Sequence, residues 1–279
     1  MVSAPGLAVI GAGAKPDRYT HGHEWATLAS HGKRTAATSC GYLLPVLEPG
    51  MHILDVGCGP GTITLDLAAI AAPGEVVGIE PVEGPLDAAR EEATRRGDTV
   101  TRFELADVYA LPHEDDSFDV VHAHQVLQHL TDPVRALREM ARVCRPGGWI
   151  AVRDADYAAM TWFPEVPALD DWRSLYRRVA RANGAEPDAA RRLRGWAQAA
   201  GLHEAQLTSS VWTYADDSTC RWWGESQAER CTGPTFAAQA TEQGVSADQL
   251  ARIGDGWRAW GSAPDAWFSI LHGEVLAHP

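Results

Sequence analysis

Short apolar runs alternate along this chain with longer stretches in which apolar residues recur at helical spacing. The apolar runs predict buried strands around Val56 and at residues 75–79, 100–104, 118–123 and 149–154. Helical stretches follow at residues 63–70 and 85–96, and a third begins at Pro133 after a capping Asp132. Strands that alternate with helices in this way pair in parallel, so the predicted fold class is α/β.

Long insertions interrupt this alternation in the second half of the chain. A helix at residues 191–200 precedes a sixth strand at 205–214, and a seventh strand at 267–276 completes the predicted sheet. Insertions that follow strand ends can close over a ligand and exclude water. The predicted division is a helical cap segment at residues 1–47 and a core domain at 48–279, with cap insertions near 158–187 and 216–264.

The stretch Ile-Leu-Asp-Val-Gly-Cys-Gly-Pro-Gly-Thr at residues 53–62 is typical of a nucleoside-binding turn. Gly57, Gly59 and Gly61 allow a tight turn in which backbone N–H groups approach a ligand without interference from a Cβ atom. An NAD-dependent dehydrogenase would carry its third glycine one position later and would place a pyrophosphate there. Asp55, two positions before the first glycine, favours a cationic ligand instead, so the dehydrogenase is a remote alternative.

Two carboxylates follow later strands at positions that suit an adenosine. Glu80 ends the second strand, where its carboxylate can accept hydrogen bonds from both hydroxyls of a ribose. Asp107 follows the third strand beside Val108, so one residue can accept from an adenine amine while the other covers the ring. The three regions together predict a nucleoside cofactor.

These motifs resemble those of class I S-adenosylmethionine (SAM)-dependent methyltransferases, and most closely the branch with ubiquinone- and menaquinone-biosynthesis and small-molecule enzymes. The matching stretches are Leu-Asp-Val-Gly-Cys-Gly-Pro-Gly at 54–61, Val-Gly-Ile-Glu at 77–80, Ala-Asp-Val at 106–108, Phe-Asp-Val-Val at 118–121, Val-Leu-Gln-His-Leu at 126–130 and Arg-Pro-Gly-Gly at 145–148. They cover residues 45–157, less than half of the chain. Several family members have Asp where this chain has Glu80, and the longer side chain still reaches a ribose.

The resemblance implies a Rossmann-like seven-stranded sheet with helices on both faces and an antiparallel last strand. It also implies methyl transfer from SAM to a small-molecule acceptor (at O, N or C) by direct displacement, with S-adenosyl-L-homocysteine as product. The cofactor contacts expected from it and from the turn are Tyr19, Asp55, Gly57, Cys58, Gly59, Glu80, Pro81, Asp107, Val108, Ala123, His124 and Gln128.

Candidate bases lie near the expected methyl position. His129 either borders the acceptor or caps the next helix, and histidine titrates near neutral pH. His23, close to His21, is a further candidate, although a gate residue fits the pair better than a metal ligand. Asp156 either orients an acceptor group or caps a turn. His122, within the fourth strand, is expected to be packed or to face solvent.

The predicted insertions are rich in tryptophan, and most of these residues are expected to pack cap helices onto the core. One or two of them are predicted to line an apolar or aromatic substrate pocket instead. Trp222 and Trp223 are the predicted substrate contacts, together with Tyr157 at the end of the fifth strand.

Composition narrows the remaining alternatives. The net charge of −13 argues against nucleic acid or an anionic membrane surface as partner, and no run is long enough to span a membrane. Five irregularly spaced cysteines indicate neither a disulfide framework nor a metal site, which fits a reducing cytoplasm. The sequence does not decide between a monomer and a homodimer. The same motifs would also suit a cyclase or regulatory protein that binds SAM without transferring its methyl group.

Overall fold

The computed structural model describes residues 17–20 and 31–279. Its strands are β1 Ile53–Val56, β2 Val76–Glu80, β3 Arg102–Leu105, β4 Phe118–His124, β5 Cys144–Ala155, β6 Thr161–Phe163, β7 Gln206–Tyr214 and β8 Trp267–Ala277. Its α-helices are α1 Ala36–Ser39, α2 Thr62–Ala71, α3 Glu83–Arg96, α4 Pro133–Val143, α5 Pro167–Ala182, α6 Leu193–Ala200, α7 Asp217–Thr232, α8 Pro234–Glu242 and α9 Ala247–Gly261. Short 3₁₀ helices lie at Leu44–Val46, Leu127–His129, Tyr157–Ala159 and Ala189–Arg192.

All the strands join one sheet, in which β3, β2, β1, β4, β5 and β8 are neighbours in that order. The pairs among β1 to β5 are parallel, and β8 runs antiparallel to β5. β7 pairs with the other side of β8. The predicted α/β fold is confirmed. The predicted number of strands was wrong by one, because β6 adds a short pairing with the start of β8.

The strand order places a ligand site at the carboxyl end of β1. From β1 the chain builds β2 and β3 on one side and then returns to β4 on the other. A crevice opens where the order reverses in this way, and ligands of open α/β sheets bind there. Every residue of β1 and β4 is buried, as expected for central parallel strands covered on both faces.

Helices cover both faces of this sheet. Leu137 and Met140 of α4, with Leu193 and Ala197 of α6, pack on one face. On the other face, Ile63 and Leu67 of α2 pack together with Ala36 and Cys40 from the segment that precedes β1. The α4 helix begins as predicted, because the Asp132 side chain accepts a hydrogen bond from the Arg135 N–H and proline stands at its first position.

A helical layer formed by α5, α7, α8 and α9 packs on the start of β8. Trp257 and Trp260 at its centre are fully buried, and their ring centroids lie 5.4 and 5.6 Å from that of Phe268 in β8. Trp172 of α5 meets Trp257 edge to face at 4.9 Å. These three tryptophans therefore join the layer to the sheet. Within residues 17–20 and 31–279, the helices lack the combination of length and apolar character needed to cross a bilayer.

Candidate active site

The glycine turn, residues 57–61, follows β1 and has a backbone that favours glycine. Gly57, Gly59 and Gly61 have φ angles of 68°, 55° and 75°, all in the left-handed region. A Cβ atom on Gly57 would lie 2.5 Å from the Val126 Cγ2 atom, whereas a Cβ on Gly59 would meet nothing within 4 Å. The turn is thus packed against Val126 on one side and open at Gly59.

Glu80 lies directly against this turn. Its Oε1 atom accepts a hydrogen bond from the Gly59 N–H at 2.7 Å. The pKa of Glu80 is raised to about 7, mainly by burial. The hydrogen bond from the Gly59 N–H lowers this pKa, and the charge of Asp55 raises it. The Ala106 N–H donates to the Glu80 carbonyl oxygen at 2.9 Å, which brings the exposed Asp107 to the same edge. The three predicted regions therefore lie together.

Asp55 lies below the turn, inside the sheet. Its carboxylate accepts from the Thr64 hydroxyl at 2.6 Å and pairs with the His122 Nδ1 atom at 2.7 Å, while the His122 Nε2 atom lies 3.3 Å from the Cys40 Sγ atom. Burial opposes a charged imidazole, but Cys40 and Asp55 raise the pKa of His122 to about 10. Both oxygens of Asp55 are engaged within the sheet, and a charged His122 offsets its negative charge, so Asp55 supports the strands beneath the turn.

Other predicted cofactor residues surround the ends of β2 and β4. Gln128 is buried, and its Oε1 atom accepts from the Ala155 N–H at 3.1 Å, which ties the 3₁₀ helix to β5. Cys58 is buried, and burial raises the pKa of its thiol. Ala123 packs among the apolar residues of the α4 face, Val108 packs against them, and Pro81 is exposed after Glu80.

Tyr19 and His129 form one contact above this edge. Their ring centroids lie 4.7 Å apart, edge to face, and the His129 Nε2 atom is 3.0 Å from the Gln128 amide nitrogen. Burial raises the pKa of Tyr19. The charges of Arg34 and Arg230 lower this pKa, and the charge of Glu80 raises it. Tyr19 is therefore near both the Glu80 carboxylate and the two arginines. His23 and His21 lie outside the described residues.

Two roles were open for Asp156 from the sequence, a turn cap and an acceptor contact. The structure shows the capping role. Its carboxylate accepts from the Ala159 N–H at 3.1 Å, at the start of a 3₁₀ helix. The Arg191 guanidinium donates to both of its oxygens, at 2.6 and 2.7 Å. The side chain is buried in this arrangement and is therefore not available as a base in the structure described.

A pocket with aromatic walls, here called the aromatic pocket, lies between the helical layer and the sheet. Its lining residues are Arg34, Gln125, Ala155, Tyr157, Met160, Trp172, Trp212, Trp223, Gln227, Arg230 and Ile270. Of the predicted substrate contacts, Tyr157 and Trp223 line it. Trp222 does not, and the Lys33 Nζ atom lies 3.9 Å from its ring centroid instead.

The aromatic pocket and the glycine turn are neighbours. Gln125 borders the pocket, and the next residue, Val126, packs against Gly57. No sequence pattern marks Arg34, Gln125, Trp212 or Arg230 as pocket residues, because they come from four separate parts of the chain that only the folded sheet brings together.

Comparison with known proteins fits this geometry. Residues 47–210 match a family described as a methyltransferase domain. The chain belongs to this family. An uncharacterized methyltransferase of Schizosaccharomyces pombe is 34% identical over 271 residues, which are 92% of this chain and 95% of that protein. The resemblance of the motifs to SAM-dependent methyltransferases is thereby confirmed.

Two further methyltransferases extend the likeness. The ubiquinone/menaquinone biosynthesis C-methyltransferase of Bdellovibrio bacteriovorus is 39% identical over 105 residues, 38% of this chain and 44% of that protein. The solved structure of phosphoethanolamine N-methyltransferase 2 from Haemonchus contortus, in complex with SAM, shares the fold with a TM-score of 0.53 at 15% identity, covering 91% of this chain and 53% of that one. The protein is a SAM-dependent methyltransferase.

Proposed function

We propose that this methyltransferase binds SAM at the glycine turn and methylates a small molecule held in the aromatic pocket. The observation that carries the proposal is the Gln125–Val126 step, which borders the pocket with one residue and packs against the turn with the next. A donor held at the turn and an acceptor held in the pocket would thus be neighbours. The segments at 1–47, 158–187 and 216–264 would cover both.

The residues present at the turn fit an adenosine. Gly59 is open where a ligand would approach the backbone, and Glu80 is a largely desolvated carboxylate whose Oε1 atom accepts from the Gly59 N–H. Glu80 would accept from the ribose hydroxyls, and the exposed Asp107 from the adenine amine. Tyr19 would lie beside the methionine part, as the resemblance implies.

SAM, when bound, supplies a sulfonium methyl group, which joins the acceptor atom as the C–S bond breaks and its electron pair stays on sulfur. The chain itself has to align the acceptor, exclude water and, for some acceptors, remove a proton. Alignment contributes about 7–11 kcal/mol to such reactions. A base adds about 10²- to 10⁴-fold, or roughly 3–5 kcal/mol. The walls of the pocket therefore matter more than any single base.

Two measurements test this function. Isothermal titration should detect binding of SAM and of S-adenosyl-L-homocysteine, and folded protein that gives no heat with either would contradict the proposal. Transfer of a labelled methyl group to members of an acceptor panel should follow. Binding without transfer across the panel would favour the alternative of a protein that binds SAM without methylating.

His129 is proposed to act as the base or to orient the acceptor. His129→Ala should lower kcat by about 100-fold, the lower end of a base contribution, and leave the Kd of SAM within about threefold. His203→Ala, at an exposed loop position, is the matched control and should alter neither quantity. Unaltered turnover of His129→Ala would give His129 a packing role only.

A further inference from the structure

We propose that the acceptor is an aromatic acid, a planar ring system with a carboxylate or another anionic oxygen group, and that Arg34 binds this group in the aromatic pocket. The inference rests on the proposed function, because it names the substrate class of the same pocket. Three features carry it: the walls of the pocket, the partners of Arg34 and the charges around it.

The walls of the pocket suit a flat ring. Tyr157, Trp172, Trp212 and Trp223 line it, with Met160 and Ile270 as aliphatic cover. Tyr157 stacks on Tyr176 with ring centroids 4.1 Å apart, and Trp223 stacks on Tyr214 at 4.5 Å. Stacking restricts the rotation of these two rings, and aromatic walls of this kind suit a planar molecule.

Arg34 brings a charge into this apolar space. Its Nη2 atom donates to the Gln125 Oε1 atom at 2.9 Å, and its guanidinium carbon lies 5.4 Å from the Trp212 ring centroid. A guanidinium has five N–H donors, and no carboxylate within residues 17–20 and 31–279 forms an ion pair with this one. An arginine in an apolar pocket is costly unless an anion meets it.

The orientation of Gln125 is fixed by a chain of hydrogen bonds. The His272 Nδ1 atom lies 3.2 Å from the Ile270 carbonyl oxygen, which can only accept, so Nδ1 carries the proton. The Nε2 atom of the neutral ring must then accept from the Gln125 amide nitrogen, 2.8 Å away. This leaves the Gln125 oxygen to accept from Arg34. Gln125 is therefore a positioning residue for the guanidinium.

The backbone of Gln125 supports the same conclusion. Its φ angle is 55°, which is uncommon for a residue other than glycine, and its N–H donates to the Arg153 carbonyl oxygen at 2.7 Å. Such a conformation persists where the surroundings determine it, and it is concentrated at ligand-binding positions.

A second arginine lies near Arg34. Arg230 lines the same pocket. Burial, and after it the charges of Arg34 and Arg153, hold the pKa of His124 and His272 well below the usual range, so both rings are neutral. Of the nearby carboxylates, Glu274 pairs with Arg153 at 3.2 Å and Glu80 lies at the glycine turn. An anionic acceptor would balance the charge of Arg34, and its negative oxygen would also be drawn to a sulfonium.

Binding of 2-naphthoate and of its neutral match, 2-naphthamide, tests the inference on the full chain by tryptophan fluorescence, with calorimetry as a second readout. Wild type should bind naphthoate at least tenfold more tightly than naphthamide. Arg34→Met should abolish this preference. Lys33→Met, at the exposed neighbouring cation that contacts Trp222, is the matched control and should keep it.

A second variant leaves Arg34 in place. Gln125→Glu puts a carboxylate against the guanidinium and removes the amide donor to His272, so naphthoate should lose its advantage over naphthamide by about tenfold. Equal binding of the two probes to wild type, a preference that survives Arg34→Met, or no binding of either probe at millimolar concentration would each overturn the inference. Titration with S-adenosyl-L-homocysteine on the same preparations separates the two proposals. Its failure overturns cofactor binding, whereas the naphthoate preference reports on Arg34 alone.

Discussion

Glu80→Gln should weaken the binding of SAM by about 10- to 100-fold, because hydrogen bonds to a charged acceptor contribute roughly 1.5–3 kcal/mol. The substitution keeps an oxygen for the Gly59 N–H, which Glu80 Oε1 accepts at 2.7 Å, so the turn should stay in place. Calorimetric titration with SAM at pH 8 measures the effect. An unchanged Kd would remove Glu80 from the ribose.

The same variant should have the opposite effect on the stability of the ligand-free protein. The pKa of Glu80 is raised from its ordinary value of 4.5 to about 7, so the folded state prefers the protonated carboxyl. Ionisation of Glu80 therefore costs stability as the pH rises from 4.5 to 7, and the cost is complete above pH 7. Glutamine avoids it, so Glu80→Gln should gain about 1–3 kcal/mol in the free energy of unfolding at pH 8 and nothing at pH 4.

Affinity should follow the same ionisation. Below pH 7, SAM binding to wild type should weaken by up to about tenfold per pH unit, whereas Glu80→Gln should lack this slope. Glu83→Gln removes the same charge from an exposed position paired with Arg90, and it should change neither affinity nor the pH dependence of stability. A lower free energy of unfolding for Glu80→Gln than for wild type at pH 8 would contradict the conclusion that burial destabilises the ionised carboxylate.

Gly59→Ala should abolish measurable SAM binding, with a loss of at least about 100-fold, while the protein stays folded. No atom lies within 4 Å of the added Cβ, so the cost to the ligand-free protein is the left-handed backbone at φ 55°. That cost is about 1–2 kcal/mol. The added methyl group would stand where a ligand has to approach the backbone.

Gly57→Ala is the matched variant at the same turn. Its Cβ would lie 2.5 Å from the Val126 Cγ2 atom, so it should lower the free energy of unfolding by about 2–4 kcal/mol through overpacking added to backbone strain. Urea unfolding and SAM titration on both variants separate the effects. Wild-type affinity in Gly59→Ala would mean that a ligand does not approach the turn at this residue.

The sheet and the turn were predictable because their signals are local. β1 and β4 are continuous apolar runs, and both are buried throughout. The glycines and Glu80 lie at strand ends, where spacing alone brings them together. The β6 strand was missed because it is three residues long and its Phe163 is exposed, so no buried pattern marks it.

Side-chain partners were less predictable than positions. Asp55 stands where the sequence placed it, but its pairing with His122 depends on the register of β1 against β4. Trp222 and Trp223 are adjacent in α7, so they project about 100° apart and only Trp223 reaches the pocket. Arg34 reaches Gln125 across 91 positions of sequence, a contact that no spacing rule could reveal.

The segment before β1 holds three separate attachments to the sheet: Arg34 to Gln125, Cys40 to His122, and the Thr38 carbonyl oxygen to the Trp212 indole N–H at 2.8 Å. Arg34, whose charge would select the substrate, thus belongs to the segment before β1. The residues proposed to bind the methyl donor lie at the ends of β1 and β2. Sequence variation in the segment before β1 would then change the acceptor that is methylated and leave the methyl donor unchanged. Exchange of this segment between relatives should transfer the acceptor preference with it.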